Sequence, residues 1–209
     1  MGTSNETEVC FYALIGNREG LKRAATVEIQ EQYSFIVPSE IEGKVTKIRT
    51  RACTKDGQTR YELTIKAAAS GEQDKCNAAV ETTALIGEKF FETWKATVSP
   101  EGIRKVRYVF VPEKTVVSFQ GTDHEIPGVK YEVDVFISKD GSESKWCKID
   151  IELDVIFDYM KAKELSPDSY DLKVAISKLP FEPQHTFSGD TENEEEKAAV
   201  QNFWKSFTY

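Results

Sequence analysis

Positively charged residues occupy alternate positions of the stretch 47–66, KIRTRACTKDGQTRYELTIK, whose first half carries Lys47, Arg49 and Arg51. Side chains that alternate along a β-strand share one face, and Asp56-Gly57 in the middle of the stretch favours the tight turn of a hairpin. A face this rich in cations repels itself unless an anion lies against it. For one such hairpin alone, a solvated outer face is the simpler interpretation. Recurrence of the same charge pattern in other strands would instead favour a face that contacts an anion.

The same alternation recurs in other predicted strands, which carry charged or amide side chains on one face and apolar side chains on the other. The predicted strands are 25–37, the two halves of 47–66, 80–85, 103–111, 114–119, 130–137 and 145–155, with 172–176 as a further candidate. Residues 122–128 are predicted to form a turn, and helices are predicted over 87–96, 157–165 and 193–209. Many strands with one charged face are typical of a closed or nearly closed barrel with a charged lumen.

The predicted inward face carries both signs of charge. Its cations are Arg49, Arg51, Lys66, Lys105, Arg107 and Lys148. Its carboxylates are Glu28, Glu62, Glu81, Asp134, Asp150 and Glu152. Cations in such a set suit a polyanion such as triphosphate, and clustered carboxylates suit a divalent metal ion. The alternative is a network of ion pairs that neutralises itself, although dry ion pairs contribute little net stability.

Composition narrows the class of protein. The 209 residues carry a formal net charge of −8, which argues against affinity that rests on general contact with a nucleic-acid backbone. The four cysteines show no spacing typical of zinc ligands, and only His124 and His185 are histidines. No apolar run approaches the ~20 residues that span a bilayer, and the start of the sequence lacks signal-peptide order. A cytoplasmic protein with reduced thiols is expected.

Three regions are predicted: an N-terminal segment 1–24, a tunnel domain 25–180, and a C-terminal tail with a helix, 181–209. The apolar patch at 9–15 is interpreted as either a short edge strand or part of a partner surface. The helix carries Val200, Phe203, Trp204 and Phe207 on one side. This side is expected to pack on the barrel exterior, and the alternative is that it binds another protein chain.

Five strand motifs, in order, resemble those of the CYTH superfamily, the triphosphate tunnel metalloenzymes. They are Arg49-x-Arg51, Thr64-Ile65-Lys66, Lys105-x-Arg107-Tyr108, the run 131–136 (YEVDVF) and Asp150-x-Glu152-Leu153. The resemblance runs from about residue 25 to residue 154. It implies a mainly β (α+β) fold, an eight-stranded antiparallel β-barrel tunnel with a few flanking helices, which binds triphosphate together with Mg²⁺ or Mn²⁺. Members of the superfamily include inorganic, thiamine and RNA 5′-triphosphatases and class IV adenylyl cyclases, so an RNA 5′ end is one of the implied ligands.

The resemblance also implies a role for each inward residue. Glu28, Lys66 and Arg107 would be catalytic. Phosphate would contact Arg49, Arg51, Lys66, Lys105, Arg107 and Lys148, and the metal would contact Glu28, Asp150 and Glu152. Other residues would line the tunnel: Gln30, Gln32, Glu62, Thr64, Glu81 and Asp134. The opening strand departs from the superfamily's Glu-x-Glu-x-Lys pattern, because Gln30 and Gln32 follow Glu28.

Two functions follow from this set. The first is metal-dependent hydrolysis of inorganic or nucleoside triphosphate, in which the cations neutralise the phosphate oxygens. The second is a tunnel that binds or sequesters a nucleotide or polyphosphate without hydrolysis. The neutral amides of Gln30 and Gln32 favour the second, since an amide lacks the charge that attracts Mg²⁺.

Overall fold

The structure is a computed structural model that describes residues 2–38, 45–68, 79–97, 102–165 and 170–208. The first strands are β1 (Gly2–Glu6), β2 (Glu8–Leu14), β3 (Thr26–Pro38), β4 (Val45–Lys55), β5 (Gln58–Ala68), β6 (Ala79–Ile86) and β7 (Gly102–Phe110). The later strands are β8 (Lys114–Phe119), β9 (Thr122–Pro127), β10 (Tyr131–Ile137), β11 (Glu143–Glu152), β12 (Tyr170–Asp171) and β13 (Gln184–Ser188). The helices are α1 (Arg18–Leu21), α2 (Glu88–Thr97), α3 (Asp154–Ala162), α4 (Lys173–Ser177) and α5 (Glu194–Phe207).

The main sheet has the strand order β1-β6-β5-β4-β3-β7-β10-β11-β2-β13, and every pair in it is antiparallel. A mainly β antiparallel fold with flanking helices is therefore confirmed. The predicted strand number is wrong, because β1 and β13 extend the eight inner strands to ten. Within the described ranges β1 and β13 remain the edges of the sheet, with no hydrogen-bonded ladder that closes it.

The sheet curls strongly. Only Thr7 separates β1 from β2, yet β1 pairs with β6 and β2 pairs with β11, near opposite ends of the strand order. A single residue spans less than ~4 Å, so the two ends must approach each other. In agreement, Lys66 Nζ of β5 donates to Glu8 Oε1 of β2 at 2.7 Å.

We call the face of the main sheet that carries these two side chains the charged face. Its other members, related by the strand register, include Glu28 (β3), Arg49 (β4), Lys105 (β7), Asp134 (β10) and Lys148 (β11). Since charged-face residues of distant strands meet, the charged face is the concave side of the sheet.

Most predicted elements are confirmed. The hairpin of β4 and β5 turns at Asp56 and Gly57, whose φ angles of 50° and 76° explain the preference for Asp-Gly. Two predictions are wrong. The predicted turn at 122–128 is strand β9, because the chain reverses earlier, at Gln120 and Gly121 with positive φ. The candidate strand 172–176 is the short helix α4, whose Ala175 and Ile176 are buried.

The largest apolar cluster lies on the convex side of β7, β10, β11 and β2. Their outward side chains pack against α3, α4 and the small sheet β12-β8-β9, with Val133, Ile149, Ile156 and Ile176 almost completely buried. On β3 to β5, helix α2 covers the convex side, where Phe91 contacts the rings of Tyr33 and Tyr61. Apolar burial therefore takes place mainly outside the curl, and it leaves the concave side to polar groups.

Helix α5 packs on the concave side, so the expectation that it lies outside the barrel is wrong. Phe136 pairs in register with Lys105 and contacts the rings of Phe203, Trp204 and Phe207. Trp204 Nε1 donates to the Tyr12 hydroxyl at 2.9 Å. The reason is that Tyr12, Phe136 and Phe187 interrupt the charges of the charged face with apolar surface, which the apolar side of α5 covers.

We expect Phe136→Ala to lower the free energy of unfolding by about 3–5 kcal/mol, because Phe136 is 1% exposed and its removal leaves a cavity under α5. Phe90→Ala is the matched control, since Phe90 lies on α2 and is 46% exposed. Urea denaturation of both variants measures the difference. Equal losses in the two variants would contradict the position of α5 on the concave side.

Candidate functional site

The strand register brings the predicted site residues onto the charged face. Gln30 pairs with Lys105 and Glu28 with Arg107, while Asp134 pairs with both Arg107 and Lys148. On the other half of the sheet, the register aligns Arg49 with Thr64 and Lys66 with Glu81. The side chains of Glu28, Gln30, Gln32, Arg51, Glu62, Thr64, Lys105, Asp134 and Asp150 are buried.

Asp134 is the most enclosed charge of the site. It accepts hydrogen bonds from Lys105 Nζ and from Arg107, whose Nε and Nη2 lie 2.7 and 2.8 Å from its two oxygens. Burial by itself raises the pKa of Asp134, but Arg107 and Lys105 outweigh it and hold the pKa well below its usual range. Asp134 is therefore ionised and aligns the two cations. Arg107 also donates to Glu132, which Lys130 Nζ contacts at 2.9 Å.

A second group surrounds Glu28. Arg60 donates to Glu28 and, through Nε, to Glu62 Oε1 at 2.8 Å, while Gln30 Nε2 donates to Glu28 at 2.5 Å. Arg51 Nη2 binds the other oxygen of Glu62 at 2.8 Å. Burial raises the pKa of Glu62, but Arg51 and Arg60 reverse the shift and lower it.

The three carboxylates predicted to hold a metal each bind a cation of the chain instead. Glu28 binds Arg60, Asp150 binds Lys148, and Glu152 binds Lys130 at 2.6 Å. Throughout the described ranges, no three His, Cys, Asp or Glu side chains are placed to hold one metal ion. In this arrangement the residues do not fit a divalent-metal centre.

Two amides leave an acceptor unused. Gln30 Oε1 and Gln32 Oε1 are buried, and neither accepts a hydrogen bond from any described group. A buried carbonyl oxygen without a donor is costly, by about 1–3 kcal/mol. Both oxygens can therefore accept from a ligand that carries a hydroxyl, an amine or ordered water.

Among the described residues, five charged residues of this face were not in the predicted site: Glu8, Lys47, Arg60, Lys130 and Glu132. Glu8 lies before the region of resemblance, and Arg60 lies next to the predicted turn. Lys47 follows the same alternation as Arg49 and could have been included on that ground. Burial, with repulsion from Arg49, Lys148 and Lys66, lowers the pKa of Lys47 to about 8.

Comparison with solved structures finds proteins of similar fold. The PH1819 protein from Pyrococcus horikoshii OT3 matches with a TM-score of 0.51 and 16% identity, over 94% of this chain and 99% of that chain. The PH1012 protein from the same organism matches with a TM-score of 0.42 and 17% identity, over 82% and 98%. The inorganic triphosphatase NE1496 matches with a TM-score of 0.40 and 14% identity, over 93% and 95%.

The match to PH1819 shows a shared fold. No protein-family model and no curated protein matches the chain. Separately, none of the helices in the described residues is both long enough and apolar enough to cross a membrane.

We expect Asp134→Asn to lower the free energy of unfolding by about 3–5 kcal/mol, because it leaves Lys105 buried without its counter-charge and leaves Arg107 with Glu132 as its remaining partner. Glu125→Gln removes a carboxylate that pairs with Lys114 at the exposed surface, and it should leave the free energy almost unchanged. Guanidinium denaturation compares the two variants. A loss in Asp134→Asn no larger than that in Glu125→Gln would contradict the pairing.

Proposed function

We propose that the charged face lines a tunnel that binds a polyphosphate anion, such as inorganic triphosphate or a nucleoside triphosphate. The observation that carries the proposal is that cations from four strands, β4, β5, β7 and β11, face one concave interior. The proposed binding residues are Arg49, Arg51, Lys66, Lys105, Arg107 and Lys148. A net charge of −8 on the whole chain makes this concentration of cations a local feature of the interior.

The ion pairs of the charged face contribute little to the stability of the fold, and their carboxylates can be replaced by the oxygens of a ligand. A buried ion pair gains little over apolar packing, so a network of them is a weak reason for a charged interior. Phosphate oxygens can replace carboxylates as acceptors, and the arginine fork binds them through two parallel hydrogen bonds. Lys66 and Lys148 each hold a single carboxylate, Glu8 and Asp150, that a phosphate oxygen could replace.

Binding in this proposal needs no divalent metal. Arg60 donates to both Glu28 and Glu62, and so it neutralises carboxylates that a metal would otherwise contact. The side-chain amide of Gln30 also donates a hydrogen bond to Glu28, so a neutral group contacts the same carboxylate. Mg²⁺ or Mn²⁺ would have to displace these groups before it could bind.

The proposal is tested by titrating tripolyphosphate and ATP into the protein with EDTA and, separately, with Mg²⁺, followed by calorimetry. We expect binding in EDTA that weakens as salt is added, since the contacts are electrostatic. Lys66→Met should weaken binding by about 10–100-fold, because it removes one charge-assisted contact. Lys114→Met is the control, because Lys114 is an exposed residue of β8, outside the main sheet. Failure of the wild-type protein to bind either anion in low salt would overturn the proposal.

Hydrolysis of the bound triphosphate is the second candidate. It is favoured by one observation: Glu28, Lys66 and Arg107, the proposed catalytic residues, all lie on the charged face. Phosphate release is measured in the same samples, with and without Mg²⁺ or Mn²⁺. Turnover that is lost in Glu28→Gln would establish a hydrolase, whereas binding without turnover would leave a sequestering protein.

A further inference from the structure

Lys47 differs from the other cations of the charged face. Its side chain is partly buried, and in the described part of the chain no hydrogen bond or ion pair satisfies its ammonium group. Lys66 of β5 pairs with it in register, and the charges that act on it are mostly of the same sign: Arg49 on its own strand, Lys148 on β11 and Lys66, against Asp150 on β11. An ammonium group held among like charges without a partner is unfavourable unless an anion approaches it.

The carboxylates that face this cluster already have partners. Asp150 of β11 accepts from Lys148, and Glu8 of β2 accepts from Lys66. On β6, Glu81 Oε2 lies 3.5 Å from Arg49 Nη2. Among the described side chains, four cations face three carboxylates at this end of the charged face, and Lys47 is the one whose ammonium group has no hydrogen bond or ion pair.

We propose that Lys47 is a further binding residue for the polyphosphate anion, and that binding of the anion is accompanied by uptake of a proton on Lys47. This inference rests on the proposed function. It assigns to the anion a site among Lys47, Arg49, Lys66 and Lys148, which the described carboxylates do not fully neutralise. It also makes the affinity dependent on pH.

The sign of the dependence follows from linkage. In the free protein the pKa of Lys47 is about 8, below the value of about 10.4 for an unperturbed lysine. A bound anion favours the ammonium form and raises this pKa. Above about pH 8 the free protein therefore holds Lys47 largely neutral, whereas the complex holds it charged, so affinity falls as pH rises. Tripolyphosphate itself titrates in mildly alkaline solution, so the uptake that belongs to Lys47 is the difference between the wild-type protein and a variant whose residue 47 does not titrate.

The test is calorimetric titration of tripolyphosphate in EDTA at pH of about 7 and about 9, in two buffers of different ionisation enthalpy. For the wild-type protein we expect proton uptake that approaches one proton at the higher pH and is small at the lower. Lys47→Arg keeps its charge at both values and should lack the uptake that belongs to Lys47. Lys47→Met should bind about 10–100-fold more weakly at the lower pH and also lack uptake. Lys55→Met, at the exposed hairpin turn of the same strand, should behave as the wild type.

The outcomes separate this inference from the function it rests on. Wild-type binding without proton uptake, together with unchanged affinity in Lys47→Met, would overturn the role of Lys47 and leave the proposed function standing. Absence of wild-type binding at either pH would overturn both. Uptake in Lys47→Arg equal to that of the wild type would place the proton on another group and would also contradict the inference.

Discussion

The passage of the chain from β1 to β2 through Thr7 is the constraint on which the rest of the structure depends. Because β1 pairs with β6 and β2 with β11, this one residue ties together strands near opposite ends of the sheet. The sheet must curl to satisfy both ladders, and β-sheet twist makes such a curl accessible. Once it has curled, side chains on the concave side meet across the interior, as Lys66 and Glu8 do.

This curvature separates two kinds of packing. The convex side is large enough to hold an apolar cluster that includes α3, α4 and the small sheet, and this burial stabilises the fold. The concave side is crowded, and its charges cannot all reach water. They therefore pair with one another, with Asp134 between Lys105 and Arg107 as the most buried case. Where α5 covers the concave side, the charges give way to aromatic side chains such as Phe136.

The local pattern of residues predicts much of the fold. Alternation gave the faces of β3, β4, β7, β10 and β11 correctly, because a strand that is charged on one side and apolar on the other has only one favourable orientation. The pattern could not predict which strand pairs with which. It also left open whether the patch at 9–15 is an edge strand or a partner surface, since the run EVCFYAL at 8–14 lacks clean alternation, and β2 lies inside the sheet between β11 and β13.

The position of α5 and the partners of individual charges could not be predicted for a related reason. The apolar side of α5 would suit either side of the sheet, and the choice depends on Tyr12, Phe136 and Phe187 meeting in three dimensions. Likewise, the sequence places Glu28 two residues from Gln30 on one face, but the contact of Glu28 with Arg60 depends on curvature across β4.

Gln30 and Gln32 are buried on the charged face of β3, where neighbouring side chains must balance charge. An acidic residue at position 30 would lie beside Glu28 on the same face, and the two carboxylates would need a metal ion or a second arginine between them. With Gln30 the single negative charge of Glu28 is matched by Arg60, and this pair needs no metal. The side-chain oxygens of Gln30 and Gln32 accept no hydrogen bond from the described residues. They therefore give the charged face two free acceptors among its many donors. A ligand with both phosphate oxygens and hydroxyl or amine groups would satisfy the two kinds of group together.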